Sequence, residues 1–229
     1  SSAVQKTDEF GISRDLVFGF EDWVGGRYSL WGPIGLSIII ALGANAFKLL
    51  LSGAHEIDIH FKTADMQENL PVILALVGIW HNQICDYSTR TVLPYDQRLS
   101  KLPAYFQQLE MESNGKSFDI QDNLVDYSTS PIIWGGVGTN GQHSYMQLIH
   151  QGKVKSMLDL IVLENRSDDL IQKALYDSCL GQVDALYYGE GKTFPGSNPI
   201  SLFMLSEISP AILGSLLDLY GGIIFAILR

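Results

Sequence analysis

Cysteine is scarce in this chain, with Cys85 and Cys179 the two examples in 229 residues. They lie far apart, and neither has a second Cys or His beside it at zinc-site spacing, so the sequence indicates neither a disulfide scaffold nor a zinc centre. Basic residues are also few, because 15 Lys and Arg face 25 Asp and Glu and leave a net charge of −10. This charge repels phosphate backbones and anionic lipids, and we expect no nucleic-acid partner.

Repeats and several catalytic motifs are absent as well. No period of about 20 to 50 residues occurs and no long polar linker divides the chain, so we predict a single domain over residues 1–229. GxSxG is absent, and neither Gly-Lys-Ser/Thr triplet, at 115–117 and 191–193, is preceded by the glycine of a complete GxxxxGK[ST] motif, which argues against serine hydrolases and P-loop NTPases. His55, Asp58 and His60 are close in sequence but do not form an HExxH motif, and we expect no metal site.

Long uninterrupted hydrophobic runs are missing. The two most apolar stretches are residues 34–51, which contain Asn45 and Lys48, and residues 210–228, which contain Asp218 near the middle. An Asp at the centre of a membrane span costs about 2.5–3.5 kcal/mol. We therefore predict two buried helices and no membrane span.

The pattern that is present is one of short apolar runs alternating with amphipathic segments. Residues 72–80 fit either a buried helix or an inner strand. The remaining segments read as strands at 130–134 and 158–163, an extended piece at 91–96, helices at 102–111, 142–150 and 168–187, and a loop at 189–199. Strands that alternate with helices predict an α/β fold with a parallel sheet.

A glycine-rich segment follows the strand at 130–134. Gly136, Gly138 and Gly141 fit GxGxxG, and Asp159 and Glu164 follow about 20 residues later, as in dinucleotide-binding folds. A tight turn between strand and helix, with no ligand, explains the same glycines equally well.

Three side chains are candidates for catalysis. Glu112 lies beside Asn and Gly near a chain reversal, where a carboxylate can act as a general base or remain a solvated loop acid. Arg27 follows two glycines and can reach an oxyanion, or it can pair with Glu21 or Asp22. His143 is predicted in the first turn of a helix, where the positive end of the helix dipole favours a neutral imidazole that can exchange protons.

Short sequence segments identify a family more specifically than the hydrophobic periodicity does. Eight segments in the same order resemble the phosphoglucose isomerase (glucose-6-phosphate isomerase) family. They are DWVGGRYSLW (22–31), IGLS (34–37), LSGAH (51–55), LPYDQ (93–97), AYFQQ (104–108), MESNGK (111–116), GTNGQH (138–143) and QLIHQG (147–152). The resemblance is strong over 22–152 and weak over 153–229.

The resemblance implies a sugar isomerase (SIS) domain, a flavodoxin-like three-layer sandwich with a five-stranded parallel sheet flanked by helices. It implies that Glu112 moves a proton between C2 and C1 of an open-chain phosphosugar, that Arg27 stabilises the enediolate, and that His143 from a neighbouring subunit helps to open the ring. Substrate-binding positions implied by the matched segments are Gln108, Gly26, Gly138 and Thr139. The glycine loop then belongs to the fold, and neither a cofactor nor a metal is expected.

The chain also departs from the family pattern. Family members carry a preceding SIS domain with a phosphate-binding loop and a C-terminal segment with a ring-opening lysine, and neither is found here. We therefore expect a degenerate relative that binds phosphosugar weakly and serves as a structural or interaction subunit, with a protein partner or a second copy covering the exposed face. The alternative is an active isomerase completed by other chains or segments. The resemblance implies a cytoplasmic location, and the absence of an initiator Met leaves a processed organellar protein open.

Overall fold

The computed structural model describes residues 4–164 and 169–227. Its sheet consists of β1 (Thr89–Pro94), β2 (Ile132–Gly135), β3 (Ser156–Leu163) and β4 (Ile200–Leu205). The α-helices are α1 (Val4–Glu9), α2 (Leu36–Leu42), α3 (Ala44–Thr63), α4 (Leu70–Ile79), α5 (Leu102–Asn114), α6 (Gly138–Gln142), α7 (Met146–Gln151), α8 (Leu170–Tyr188) and α9 (Pro210–Ile227). Four short 3₁₀ helices (Arg14–Leu16, Gly26–Trp31, Pro33–Gly35 and Gln97–Leu99) and a π-helical turn (Trp80–Ile84) complete the elements.

All strands pair in parallel in the order β2-β1-β3-β4. The predicted α/β architecture is confirmed, but the expected number of strands was wrong, because the sheet has four strands in the described part of the chain. The strand predicted at 158–163 is buried along its whole length in β3. Such continuous burial is typical of a parallel sheet covered on both faces. The edge strand β4 lies in a region for which no strand was predicted.

Helices cover the two faces of the sheet in separate layers. One hydrophobic cluster joins the sheet to α4, α5 and α9 through residues such as Ala75, Phe106 and Ile223. The second joins the opposite face to α7 and α8 through residues such as Ile149 and Leu186. The chain therefore forms the predicted three-layer sandwich.

Two helix predictions needed the structure to settle them. Residues 72–79 belong to α4, which begins at Leu70 and is capped by Asn69, whose side chain accepts a hydrogen bond from the Val72 N–H at 3.3 Å. Trp80 begins the π-helical turn. The apolar stretch at 34–51 is divided into α2 and α3 at Gly43, where φ is 86° and a side chain would be strained. The predicted helix start at Asp168 and the stretch end at Leu228 lie outside the described residues.

The long helices α3 and α9 cross with their backbones in contact. A Cβ atom at Gly53 would lie 1.9 Å from the Ala211 carbonyl oxygen, and one at Gly214 would lie 2.0 Å from the Leu50 carbonyl oxygen. Both distances are far below van der Waals contact. The two glycines therefore allow an approach that any other residue would prevent.

We expect Gly214→Ala to lower the free energy of unfolding by about 1–3 kcal/mol, since the added methyl group must push the helices apart. Gly181→Ala is the matched control, because a Cβ at Gly181 in α8 meets nothing within 4 Å. The higher helix propensity of Ala should make this control neutral or stabilising by about 0.5–1 kcal/mol. Equal denaturation midpoints for the two variants would contradict a close crossing.

Helix α9 is the one helix in the described ranges that is long and apolar enough to cross a membrane, with a mean hydropathy of 1.7. Its buried residues include Leu216, Tyr220 and Ile224, which pack in the cluster beneath the sheet. Seven of its 18 residues are buried, so part of the helix, and not its whole surface, packs in the core as predicted.

Candidate active site

The last two turns of α5 present a group of polar side chains. Gln108 donates a hydrogen bond through Nε2 to Glu112 Oε2 at 3.0 Å, as expected for residues four apart on a helix. The other carboxylate oxygen, Oε1, lies 3.0 Å from Arg27 Nη1. Both oxygens of Glu112 are therefore held, while its side chain remains 54% exposed and accessible to a ligand.

Arg27 reaches Glu112 from the 3₁₀ helix that begins at Gly26. Its Nε donates to Ser113 Oγ at 2.7 Å, and its backbone carbonyl accepts from the Tyr105 hydroxyl at 3.2 Å. The guanidinium lies 5.1 Å from the centre of the neighbouring Tyr28 ring. The residue thus contacts the catalytic candidate Glu112, and the alternative pairing with Glu21 or Asp22 is not observed.

Lys116 caps the C-terminal end of α5, next to this group. Its Nζ donates to the backbone carbonyls of Glu112 and Ser113, where a cation complements the negative end of the helix dipole. The site therefore contains a carboxylate paired with one cation and a second cation at the helix end, an arrangement suited to a ligand that develops negative charge.

The glycine loop lies elsewhere, at the edge of the sheet where the strands end. Gly138 packs so closely on Tyr95 that a Cβ would lie 2.3 Å from the ring, and half-buried Thr139 follows it in α6. His143 is exposed and follows the last residue of α6. The prediction of a continuous helix at 142–150 was wrong, since residues 143–145 separate α6 from α7, and the argument that a helix N-terminus acts on His143 does not apply.

Within one chain the Glu112 group and His143 are separated by the sheet. Glu110 in the last turn of α5 pairs with Arg90 near the start of β1, so Glu112 lies at the edge where the strands begin. His143 follows the end of β2, and the strand alone spans about 10 Å. The neighbouring helices α5 and α7 also pack on opposite faces. A single chain therefore does not bring His143 to Glu112.

Asp159, one of the two acidic residues in the dinucleotide pattern, is not available to a ligand. Asp159 is 5% exposed, and its Oδ2 accepts a hydrogen bond from the Tyr220 hydroxyl at 2.7 Å. It thus serves the protein core. Two glycines of the loop, Gly138 and Gly141, allow close packing against Tyr95 and Tyr145.

No group of three His, Cys, Asp or Glu side chains converges on a metal position in residues 4–164 and 169–227. His60, one of the three considered from the sequence, accepts a hydrogen bond through Nε2 from the Leu70 N–H at 3.0 Å. Its contact in the structure therefore joins α3 to α4.

A cavity of about 480 Å³ lies behind the site, lined on one side by Tyr28 and Tyr105 and on the other by α3 and α9. Asp218 in its wall has a pKa raised to about 6, first by burial and then by the charge of Asp58, while Lys62 acts in the opposite direction. A carboxyl group with a raised pKa stabilises the folded state below its unfolded pKa of 3.8, and this contribution is lost as the pH rises through 6.

We expect Asp218→Asn to stabilise the fold by about 1 kcal/mol at pH 8, a value reduced for the solvent that reaches this half-buried group. At pH 4 the difference from the unmodified protein should vanish, because Asp218 is then protonated. Thermal unfolding between pH 4 and pH 8 measures the effect. Asp184→Asn, on the exposed side of α8, is the control, and an equal pH dependence in both variants would contradict the assignment.

Sequence reasoning missed three residues of the group: Ser113, Tyr28 and Tyr105. The Tyr28 hydroxyl lies 2.8 Å from Ser113 Oγ. Tyr28 and Ser113 directly follow the two candidates Arg27 and Glu112 in the sequence, and this adjacency was the available signal. Their mutual contact could not be predicted, since 85 residues separate them along the chain.

The chain is similar to known proteins in both sequence and fold. A family model described as phosphoglucose isomerase matches residues 1–227. Glucose-6-phosphate isomerases from Cereibacter sphaeroides and Ruegeria pomeroyi are each 46% identical to the chain and cover 98% of it. The chain covers 47% of each of these proteins, so it spans about half the length of the curated relatives that it matches.

Solved structures give the same result. A crystal structure of a glucose-6-phosphate isomerase from Chlamydia trachomatis superposes with a TM-score of 0.85 and 33% identity, over 97% of this chain and 50% of that one. A hypothetical protein from Thermus thermophilus superposes with a TM-score of 0.77 and 25% identity, over 98% of this chain and 53% of the other. With a family model that spans nearly the whole sequence and a matching fold, the chain belongs to the phosphoglucose isomerase family.

Proposed function

We propose that this chain carries the proton-transferring part of a glucose-6-phosphate isomerase active site. The observation that supports the proposal is the assembled group of Arg27, Gln108 and Glu112, in which an accessible carboxylate is oriented by an amide and paired with a guanidinium at 3.0 Å. Proton abstraction next to a carbonyl needs a base and a cation at the developing oxyanion. The reaction class, and glucose 6-phosphate as substrate, follow from the names of the relatives.

In the proposed reaction, Glu112 takes the proton from C2 of the open-chain aldose, and the electron pair of that C–H bond forms the C1–C2 double bond of an enediolate. Arg27 stabilises the negative charge on its oxygen. Transfer of the C2 hydroxyl proton to the oxygen on C1, with return of the abstracted proton to C1, leaves the carbonyl at C2 and produces fructose 6-phosphate. Gln108 holds one oxygen of Glu112, so the other faces Arg27 and the substrate. Gly26 leaves space beside Arg27, because a Cβ there would meet nothing within 4 Å.

We further propose that the site is shared between two copies of the chain. His143 is exposed and lies at the edge of the sheet opposite to Glu112, so a histidine that opens the sugar ring beside Glu112 must come from a second copy. Thr139 and Gly138 would then approach the substrate together with that His143. In a symmetric dimer each copy would supply both parts, one to each of two sites.

The test of the proposed reaction is a coupled assay of the native assembly, with glucose 6-phosphate and fructose 6-phosphate measured in both directions. We expect turnover in both directions and inhibition by a hydroxamate that mimics the enediolate. An assembly that binds neither sugar phosphate and shows no turnover would contradict the proposal.

A second candidate is the non-catalytic structural subunit expected from the sequence. The observation in its favour is the number of large apolar side chains on the surface, including Trp23, Ile40 and Ile120, which are 82%, 77% and 98% exposed. Such residues fit contact with a partner. The same side chains could equally contact a second copy of an active isomerase. Because the Arg27–Glu112 pair is intact, we prefer the catalytic proposal.

A further inference from the structure

We propose that Ser113 is a positioning residue that fixes the guanidinium of Arg27 beside Glu112. The inference rests on the proposed function, because the position of Arg27 matters only if this cation stabilises the reaction's oxyanion. Three contacts of the Ser113 hydroxyl carry the argument. They are Arg27 Nε at 2.7 Å, the Tyr28 hydroxyl at 2.8 Å and the Leu109 carbonyl oxygen at 2.6 Å.

These three contacts use the full capacity of one hydroxyl group. The Leu109 carbonyl can only accept, so the proton of Ser113 is directed to it. Arg27 Nε can only donate and occupies one lone pair of Ser113 Oγ. The second lone pair remains for the Tyr28 hydroxyl, which must therefore be the donor in its contact. With its proton and both lone pairs engaged, the hydroxyl has a single orientation.

The surroundings make this orientation rigid. Ser113 is 6% exposed, and it lies directly after Glu112 on the same helical turn. Tyr105, on the same helix, donates to the backbone carbonyl of Arg27 at 3.2 Å. Helix α5 therefore holds the main chain of Arg27 through Tyr105 and its side chain through Ser113, so the cation and the base are both fixed to one helix.

The Ser113 contact restricts the orientation of the flexible Arg27 side chain. An arginine has several rotatable bonds, and the contact of Nη1 with Glu112 alone leaves the plane of the guanidinium free to turn. A second contact at Nε defines that plane. Ser113 thus keeps Nη1 directed at the place where negative charge develops, an effect that counts most in the transition state.

The experiment compares Ser113→Ala with Ser113→Thr and Ser113→Cys in the native assembly. Loss of a hydrogen bond to a charged group corresponds to about a 10- to 100-fold change. We expect a decrease of this size in kcat for Ser113→Ala, an equal loss of affinity for the enediolate-mimicking hydroxamate, and a change in KM of less than about threefold. Thr should restore activity. Cys, which fills the same space with a poor acceptor, should behave like Ala even if Ala impairs folding.

Ser215→Ala is the matched control. Ser215 also donates to the carbonyl four residues earlier, Ala211, but it lies on α9 and contacts α3 through Gly53. It should leave kcat and hydroxamate affinity unchanged.

A second measurement does not depend on turnover. The Nε–H resonance of Arg27, assigned by its loss in Arg27→Lys, should be protected from exchange with water in the native protein and become exchangeable in Ser113→Ala. An active assembly in which Ser113→Ala matches Ser215→Ala overturns the inference and leaves the proposed function intact. Absence of turnover in the unmodified assembly overturns the proposed function and, with it, the catalytic role of Ser113. An Arg27 Nε–H resonance that exchanges equally in the native protein and in Ser113→Ala shows that Ser113 does not hold Arg27.

Discussion

Replacing Glu112 by Gln is expected to lower the isomerase turnover of the native assembly by about 10²- to 10⁴-fold, the range over which a positioned general base contributes. The amide has the size of the carboxylate, and its oxygen can still accept from Arg27. It has no basic lone pair for the C2 proton. The fold and the affinity for fructose 6-phosphate should therefore change little, and the loss should appear in kcat.

The control for this substitution is Glu56→Gln. Glu56 is an exposed glutamate on α3, away from Arg27 and Gln108. It removes the same charge and should retain full turnover. If Glu112→Gln kept its activity, or if both variants lost activity equally, Glu112 would not be the base.

The largest effect on stability is expected from Arg90. This residue, in β1, is surrounded by core and pairs through Nη1 with Glu110 Oε2 at 3.0 Å, while its Nε lies 3.9 Å from Asp159 Oδ2. Asp159 in turn accepts a hydrogen bond from Tyr220. One positive charge thus compensates two buried carboxyl groups from α5 and β3. We expect Arg90→Met to cost about 3–5 kcal/mol, because it leaves the carboxyl groups without their cation.

The pH dependence of this loss is specific. Burial raises the pKa of Glu110 and of Asp159, and removal of Arg90 should raise both pKa values further. Carboxyl groups with raised pKa values stabilise the folded state most below their unfolded pKa, about 4, and this contribution is lost as the pH rises. The deficit of Arg90→Met should therefore be largest near pH 7 and shrink towards pH 4.

A second arginine provides the comparison. Arg98 pairs with Asp96 at 2.7 Å, a shorter distance than in the buried pair, but its side chain is 64% exposed. Arg98→Met should cost about 1 kcal/mol, because solvent surrounds the Arg98 guanidinium, and the backbone N–H of residue 98 still donates to the Asp96 carboxylate, whose side chain is 11% exposed. Urea denaturation of both variants decides whether burial or distance determines the effect. Equal losses would contradict the role given to the buried group.

The main features of the fold could be predicted from the sequence, and the missing parts have physical reasons. Strands β2 and β3 followed from the apolar runs at 130–134 and 158–163, whereas β1 was predicted as an extended piece at 91–96. Strand β4 was missed because it is an edge strand that follows a Gly- and Pro-rich loop. The break between α2 and α3 depends on the positive φ of Gly43, which an apolar pattern does not reveal.

The candidate site was predictable from the sequence segments that match the family more than from the hydrophobic periodicity of the chain. Helical spacing alone links Gln108 with Glu112. The resemblance implied a role for Arg27 at the same site, and the structure brings its Nη1 to 3.0 Å from Glu112 Oε1. The Ser113 contacts and the Arg90 group were missed because both join residues far apart in the chain, and a sequence does not state which distant polar residues share one buried position.

Mixing of subunits is the sharpest test of the proposal that Glu112 of one copy acts with His143 of another. Glu112→Gln and His143→Ala assemblies should each be nearly inactive. After their subunits exchange at equal ratio, half of the dimers are hybrids that contain one intact site, and activity should return to about a quarter of that of the unmodified protein. A mixture no more active than its parents, with exchange verified by mass, would contradict a shared site.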